Sequence, residues 1–304
     1  MVRVTLGIPF YNAATTLLDA IRSAFAQTFQ DWELILVDDG SRDGSLKIAR
    51  SIDDPRVRVF SDGMNRGLPA RLNEITELAR GEYVARMDAD DLMHPERLAR
   101  QVVFLDEHPE VDVVCTSYYS INMKNRPTGQ CNAEAAEISA RRLRVGKGVL
   151  HPSVLARRSW FRENPYHPTD YLRAEDIELW CRTNLEGRLH LRQLPQLLFF
   201  YREEGNVSLR KVLASYHTDR KILWKYGPRA CGWPTALREI GKFYLKSATH
   251  CMAAACGCQN FLVRRRTQRL TPQQRQDAES ILTKILSTPI PSVDKFPDCV
   301  MEDE

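Results

Sequence analysis

Two rhythms of apolar and polar positions alternate along the first part of the chain. Val2 to Ile8 is a run of strand formers closed by Pro9, which cannot continue a hydrogen-bonded ladder. Leu17, Leu18, Ile21, Ala24 and Phe25 then recur at helical spacing, the pattern of an amphipathic helix. Trp32 to Val37 reads as a second strand, stopped by Asp38-Asp39-Gly40-Ser41. Asp43 to Ile52 is helical, Val57 to Phe60 is a third strand, and Gly67 to Leu78 is another helix. The strand beginning at Tyr83 runs into Asp88, Asp90 and Asp91. Leu98, Val102 and Leu105 give the following helix its inner face, and Val111 to Cys115 is strand again. Strands alternating with helices of this length predict right-handed crossovers and a mostly parallel sheet covered on both faces.

After Tyr118 the rhythm weakens. Asn122 to Gly129 reads as a loop, Glu134 to Arg144 as a helix, and Val149 to Pro152 as the lead-in to a strand. Asn164 to Thr169 is rich in proline and polar residues and reads as a mobile loop. A helix opens at Glu175-Asp176 with Leu179, Trp180 and Leu185 inside it, and Leu189–Leu191 and Leu197–Tyr201 read as two short strands. From Leu209 the pattern predicts three helical pieces, punctuated by Gly227-Pro228 and Thr271-Pro272. The predicted organisation is a domain over 1–208, in halves 1–117 and 118–208, followed by a helical extension over 209–304.

In such sheets ligands bind beyond the carboxyl ends of the strands. Pro9 to Asn12, Asp38-Asp39 and Asp88 to Asp91 all lie at strand ends, so they should converge on one edge. Three carboxylates within four positions repel one another, and buried unpaired charge is costly. A hard divalent cation, Mg²⁺ or Mn²⁺, would relieve them, because such ions take carboxylates together with substrate phosphates. The alternative is an acidic turn capping the helix that follows.

Charge is unevenly placed. The net charge is +4, yet residues 1–210 hold 28 basic and 30 acidic side chains while the remainder hold 15 and 9. The basic tail suggests a surface that meets anions. Eight cysteines form no disulfide-like framework, no N-terminal signal precedes the first strand, and no apolar run reaches the length of a membrane span. These features predict a cytoplasmic protein with no role for nucleic acid; the basic helices read either as a solvated face or as a peripheral contact with the inner face of the membrane.

The first strand–helix turn reads Ile8-Pro-Phe-Tyr-Asn12, which lacks the GxGxxG of a dinucleotide-binding dehydrogenase. A phosphoacceptor receiver would need a strand-end lysine after the acid cluster, and it leaves most of the chain unexplained. Ile8 to Asn12, Asp38 to Ser41, Asn65 to Asn73, Asp88 to Asp91 and Glu175-Asp176, in this order over residues 2–205, resemble glycosyltransferase family 2. Its members are inverting nucleotide-sugar glycosyltransferases of the GT-A fold, whose Rossmann-like, mostly parallel central sheet is flanked by helices.

The resemblance implies roles residue by residue. Pro9, Tyr11 and Asn12 would line the base pocket, and Asp39 would accept from a pyrimidine N–H. Asn65, Arg71 and Ala89 would join the donor site, Arg71 at the diphosphate or base. Asp88 would hold the ribose or a metal-bound water, and Asp90 would bind Mn²⁺ or Mg²⁺ directly. Asp176 would be the base that takes the acceptor hydroxyl's proton, with Glu175 as its substitute; the structural alternative is a helix cap. His151 would touch acceptor or donor phosphates or else be a hydrogen-bonded structural histidine, and Trp160 and Tyr166 would stack on an acceptor sugar. Trp180 falls on an apolar stripe and reads as core. The Gln-x-x-Arg-Trp motif of processive synthases is absent, so one sugar would move per binding event, from a UDP-linked donor to a glycan or lipid-linked acceptor. The alternatives are a polyprenyl-phosphate sugar transferase and a non-catalytic carbohydrate-binding module on the same fold.

Overall fold

The computed structural model describes residues 2–131, 148–171, 173–203, 209–256 and 268–291. In chain order the elements are β1 (Val4–Phe10), α1 (Leu17–Phe25), β2 (Trp32–Asp38), α2 (Ser45–Arg50), β3 (Val57–Ser61) and α3 (Leu68–Leu78). Then follow β4 (Tyr83–Arg86), β5 (Leu92–Met93), α4 (Arg97–Glu107), β6 (Val113–Ile121) and β7 (Pro127–Cys131). A 3-10 turn at His151–Ser153 leads into β8 (Leu155–Arg157), α5 (Arg158–Glu163), α6 (Glu175–Leu185) and β9 (Leu191–Arg202). The helices α7 (Leu209–Cys231), α8 (Trp233–Ala255) and α9 (Pro272–Leu286) come last.

The strands form one sheet in the order β3-β2-β1-β4-β8-β6-β9-β5, with β7 paired to β6. β3, β2, β1 and β4 are mutually parallel, and β6 and β9 are parallel too. β8 runs antiparallel to both of its neighbours, so the parallel character belongs to the first half and the second half is mixed. Registers matter more than count here. Phe10 stands opposite Asp38, Asp38 opposite Ser61, and Gly7 opposite Arg86. All four parallel strands therefore finish at one edge.

β1 and β2 are buried along their whole length, as strands covered on both faces must be. Leu34 and Leu36 join Val4, Leu6 and Ile8 in one apolar cluster. Ile35 and Val37 join Leu72, Ile75 and Val84 in the other. α1 closes the first face with Leu17, Ala20, Ile21 and Ala24, the spacing that one stripe of a helix provides. α3 lies so close to β1 on the second face that a Cβ on Gly7 would stand 2.4 Å from Ile75. Trp180, Trp160 and Phe161 complete that face.

β7 takes up the end of the loop expected over 122–129, and three further elements differ from the sequence reading. The two strands expected at 189–191 and 197–201 are one strand, β9, whose register against β6 skips between Leu194 and Leu197. Pro195 has no N–H to give the ladder, so the strand bulges there and resumes. Secondly, the helix break expected at Gly227-Pro228 falls later: α7 carries Pro228 inside it and ends at Cys231. Gly232 takes φ 77°, and Pro234 sits in the first turn of α8, where a missing N–H costs nothing. Thirdly, α9 returns to the main body. Ala278, Leu282 and Ile285 pack with Leu92, Ile121 and Phe200, and Arg22 donates to the Thr288 carbonyl at 3.1 Å. The predicted helix over Glu134–Arg144 and the arginines 264–266 lie outside the described residues. Among the described residues no helix is long and apolar enough to cross a membrane.

Candidate active site

The chain after β1 must turn at once, because Pro9 and Phe10 end the ladder at the edge. Asn12 does so in a left-handed conformation, φ 49°, which its short polar side chain tolerates. Its Oδ1 accepts from the Arg42 N–H at 2.8 Å, and its own N–H donates to Ser41 Oγ at 3.0 Å. The loops after β1 and β2 are thereby tied together. Tyr11 is left half exposed.

Asp38 is spent on the turn itself, accepting from the Ser41 N–H and from Ser61 Oγ. Asp39 is buried and organises the loop that carries Asn65. Its Oδ1 accepts from the Arg66 N–H at 2.7 Å and from Arg71 Nε at 2.9 Å; Gly67 donates to both oxygens. Oδ2 takes only that Gly67 bond among the described residues, which leaves capacity for one more donor.

Arg71, expected at the diphosphate or base, is placed differently. Its guanidinium is fully buried and is held by Asp39, Asp62, Glu74 and the Met64 carbonyl. A cation with all its donors engaged orients a loop and does not reach into a cleft. Replacing it by Met would leave the buried Asp39 carboxylate with backbone donors but no countercharge. We expect Arg71→Met to lose about 3 kcal/mol of stability, read from the urea midpoint at constant slope.

β4 delivers the acids. Asp88, Asp90 and Asp91 each offer one carboxylate oxygen, and these oxygens lie within 4.8 Å of one another. Asp91 is buried and accepts from the Arg202 N–H at 2.8 Å, while its Oδ2 has no hydrogen-bond partner among the described residues. Burial, together with the neighbouring Asp90 and Asp88 charges, raises Asp91 well above the usual carboxylate range. Asp88 is pushed up to about 6, by burial first, with Asp90 and Asp176 adding to it against the pull of Arg86. An orphaned buried oxygen among three crowded carboxylates fits a hard divalent cation. Of the three, Asp88 and Asp90 also line the cleft that opens over this edge of the sheet.

Facing them is the start of α6. Ala174 adopts the left-handed conformation, φ 58°, which is strained for a residue with a Cβ. The strain turns Glu175 and Asp176 inward beside His151, ligand atoms of all three lying within 4.8 Å. Glu175 is buried, and burial and Asp176 push it up to about 8. Burial also raises Asp176. His151 is held well below its usual value by burial and by Arg86, so its ring is neutral. Both acids are therefore raised by burial, Glu175 far enough to hold its proton at neutral pH.

The acceptor contacts expected of His151, Trp160 and Tyr166 are not what the fold builds. Tyr166 is buried and its hydroxyl pairs with His151 Nε2 at 2.7 Å, while Nδ1 faces Glu175 at 3.8 Å. Trp160 stacks on Trp180 and donates to the Arg188 carbonyl. Aromatic residues near a polar loop suggested stacking platforms, but these rings are worth more as core.

Sequence reading missed Arg86. It is buried on β4, with Nη2 2.5 Å from Asp88 Oδ1, and Nε and Nη1 have no hydrogen-bond partner among the described residues. Burial alone would lower it, yet Asp88, Tyr166, Glu175 and Asp91 carry it above its ordinary value. A charged residue inside Tyr83-Val-Ala-Arg-Met87 was the available signal, since a buried strand admits a charge only where charge awaits it. Exposed Arg173, just before α6, was missed as well. A cleft of about 510 Å³ opens over this edge, and Pro9, Tyr11, Asn12, Asp88, Ala89, Asp90, Arg173 and Arg202 are among the residues that line it.

The family model described as Glycosyl transferase family 2 matches residues 5–164. EpsE of Bacillus subtilis, a protein whose name assigns it to the glycosyltransferases, is 32% identical over 239 residues, 73% of this chain and 80% of its own. Two longer relatives are matched over only 22% and 37% of their length. Among solved structures, S. aureus TarS 1-349 in complex with UDP-GlcNAc superposes with TM-score 0.60 at 19% identity, covering 94% of this chain and 82% of that one. The mannosyltransferase PcManGT from Pyrobaculum calidifontis, in complex with GDP-Man and Mn²⁺, gives 0.57 at 16% identity, covering 94% and 85%.

Proposed function

We propose a reaction from one premise: the chain belongs to glycosyl transferase family 2, has the GT-A fold and is a glycosyltransferase. It moves one sugar, with inversion, from a UDP-linked donor to a hydroxyl of a glycan or lipid-linked acceptor. The observations that carry this reading are that Asp88 and Asp90 line one cleft and that Asp88 lies close enough to Glu175 and Asp176 for their charges to act on one another. TarS is described with UDP-GlcNAc and PcManGT with GDP-Man and Mn²⁺, which supports a sugar-nucleotide donor and a metal here.

Pro9, Tyr11 and Asn12 form the base side of the cleft, Asn65 joins them from the loop that Asp39 orders, and the open position on Asp39 Oδ2 selects a pyrimidine N–H. Asp88 and Asp90 hold Mn²⁺ or Mg²⁺. When bound, the cation neutralises charge that accumulates on the diphosphate as the sugar leaves. Asp176 accepts the acceptor hydroxyl's proton as the new bond to the sugar C1 forms and the C1–O bond to the diphosphate breaks. Protonated Glu175 and neutral His151 keep a second negative charge away from that proton's destination. Arg173 meets the released diphosphate at the mouth.

A thermal-shift screen of UDP- and GDP-sugars with and without Mn²⁺ tests the donor, because a ligand that binds only the folded state raises its melting point. We expect a Mn²⁺-dependent rise with one UDP-sugar and slow, Mn²⁺-dependent release of UDP from it. A chain that binds free glycan but no sugar nucleotide is a carbohydrate-binding module, and the proposal falls.

A further inference from the structure

α8 is a helix of 23 residues in which only Ala236 and Phe243 are buried. Both point at α7, which approaches so closely that a Cβ on Gly227 would stand 2.9 Å from that of Ala236. The opposite face is apolar and open. Trp233, Leu237, Tyr244, Leu245 and Met252 are each at least half exposed; the first three, spaced by four and seven residues, follow one line of the helix, and Leu245 and Met252, seven apart, widen it into a stripe about 100° across. Trp224 of α7 extends the stripe, half exposed with its ring 5.7 Å from that of Trp233.

Basic residues edge this stripe on both sides. Arg238, Lys242 and Lys246 follow one margin of α8. On the other, Arg220 of α7 lies over the Tyr244 ring at 4.4 Å and donates to Ser247 Oγ. Together α7 and α8 carry nine Lys and Arg against two Asp and Glu. We infer that the α7–α8 pair seats the protein on an anionic lipid bilayer, with the α8 stripe in the acyl boundary and its basic margins on the headgroups.

The charge decides the occupant. A second copy docked about a two-fold axis would set the same patch against itself, bringing like charges together along both margins. An anionic surface answers those margins and the apolar stripe at once. The seat is coupled to the site as well. Tyr226 of α7 donates to Glu178 at 2.7 Å, and Ile222 packs on Tyr171 and Cys181, so the hairpin is fixed to the helix that begins at Glu175-Asp176. The inference does not depend on the sugar-transfer reading.

Flotation of the whole chain with vesicles of phosphatidylcholine, alone or mixed with phosphatidylglycerol, tests it. The wild type should float with the anionic vesicles only. Tyr244→Glu with Leu245→Glu should lower partition at least about tenfold; both positions are exposed, so the fold should survive. Substituting Gln at 238, 242 and 246 together should remove the preference for anionic lipid. Trp32, Trp160 and Trp180 are buried, so quenching of the wild type by brominated lipid would report Trp224 and Trp233. That readout needs no variant. Equal flotation of wild type and the double variant, absence of quenching, or a lipid-free dimer that the double variant dissociates would each overturn the inference.

Discussion

Replacing Asp176 by Asn is expected to lower turnover by about 10³-fold while leaving affinity for the nucleotide-sugar almost unchanged. Asn keeps the size of the side chain and an oxygen for the helix N-terminus, so the cap and the strained turn at Ala174 survive. What it loses is the ability to take a proton. The neighbouring acid supplies the contrast. Glu175 titrates near 8, so at neutral pH it is already the protonated species that Gln imitates, and Glu175→Gln should cost turnover far less. Initial rates of product formation, paired with donor affinity by calorimetry, separate the two. Near wild-type transfer by Asp176→Asn would leave that carboxylate as a cap alone, and the base would have to be sought elsewhere.

Much of the N-terminal half was legible because its physics is local. A strand covered on both faces needs an unbroken apolar run, and β1 and β2 show one; the helices between them show one apolar stripe each. The edge of the sheet followed from topology, since parallel strands with short turns must put Pro9, Asp38 and Asp88 at one end. Beyond β6 the information is distributed. β9 crosses a proline by bulging, and nothing local says that the two halves continue one ladder. α9 finds its partners, Leu92 and Phe200, across most of the chain. Side-chain placement was harder still. Arg71, Trp160 and Tyr166 had the right chemistry for ligand contacts, but burial is set by neighbours that no spacing reveals. Conversely Arg86 went unread in its strand, and only the convergence of Asp88, Glu175 and Tyr166 around it explains why a charge is tolerated there.

The same crowding of charge predicts how the protein answers pH and metal. Glu175 rises from an ordinary 4.5 to about 8 on folding. The folded chain therefore holds a proton that the unfolded chain has already released, and the associated stability is lost as pH rises through the folded value. His151 acts in the opposite sense. Its folded value lies well below 6.5, so the unfolded chain takes up a proton that the buried ring refuses, and stability is lost as pH falls below that point. Between 6.5 and about 8 Glu175 releases its proton, and the buried, raised carboxylates Asp88, Asp91 and Asp176 act in the same direction. Across this window the metal-free protein should lose about 2 kcal/mol. For a chain of this size that is a fall in Tm on the order of 5 °C. Glu175→Gln should flatten the slope, because Gln has no proton to lose. Mn²⁺ should raise Tm more at the upper end of the window than below 6, since its ligands bind deprotonated and Asp88 titrates at about 6. Asp90→Asn should abolish that response at every pH. A melting temperature that climbs between 6.5 and 8, or an unchanged Mn²⁺ response in Asp90→Asn, would mean that this cluster is a network of structural acids and that the cation binds elsewhere.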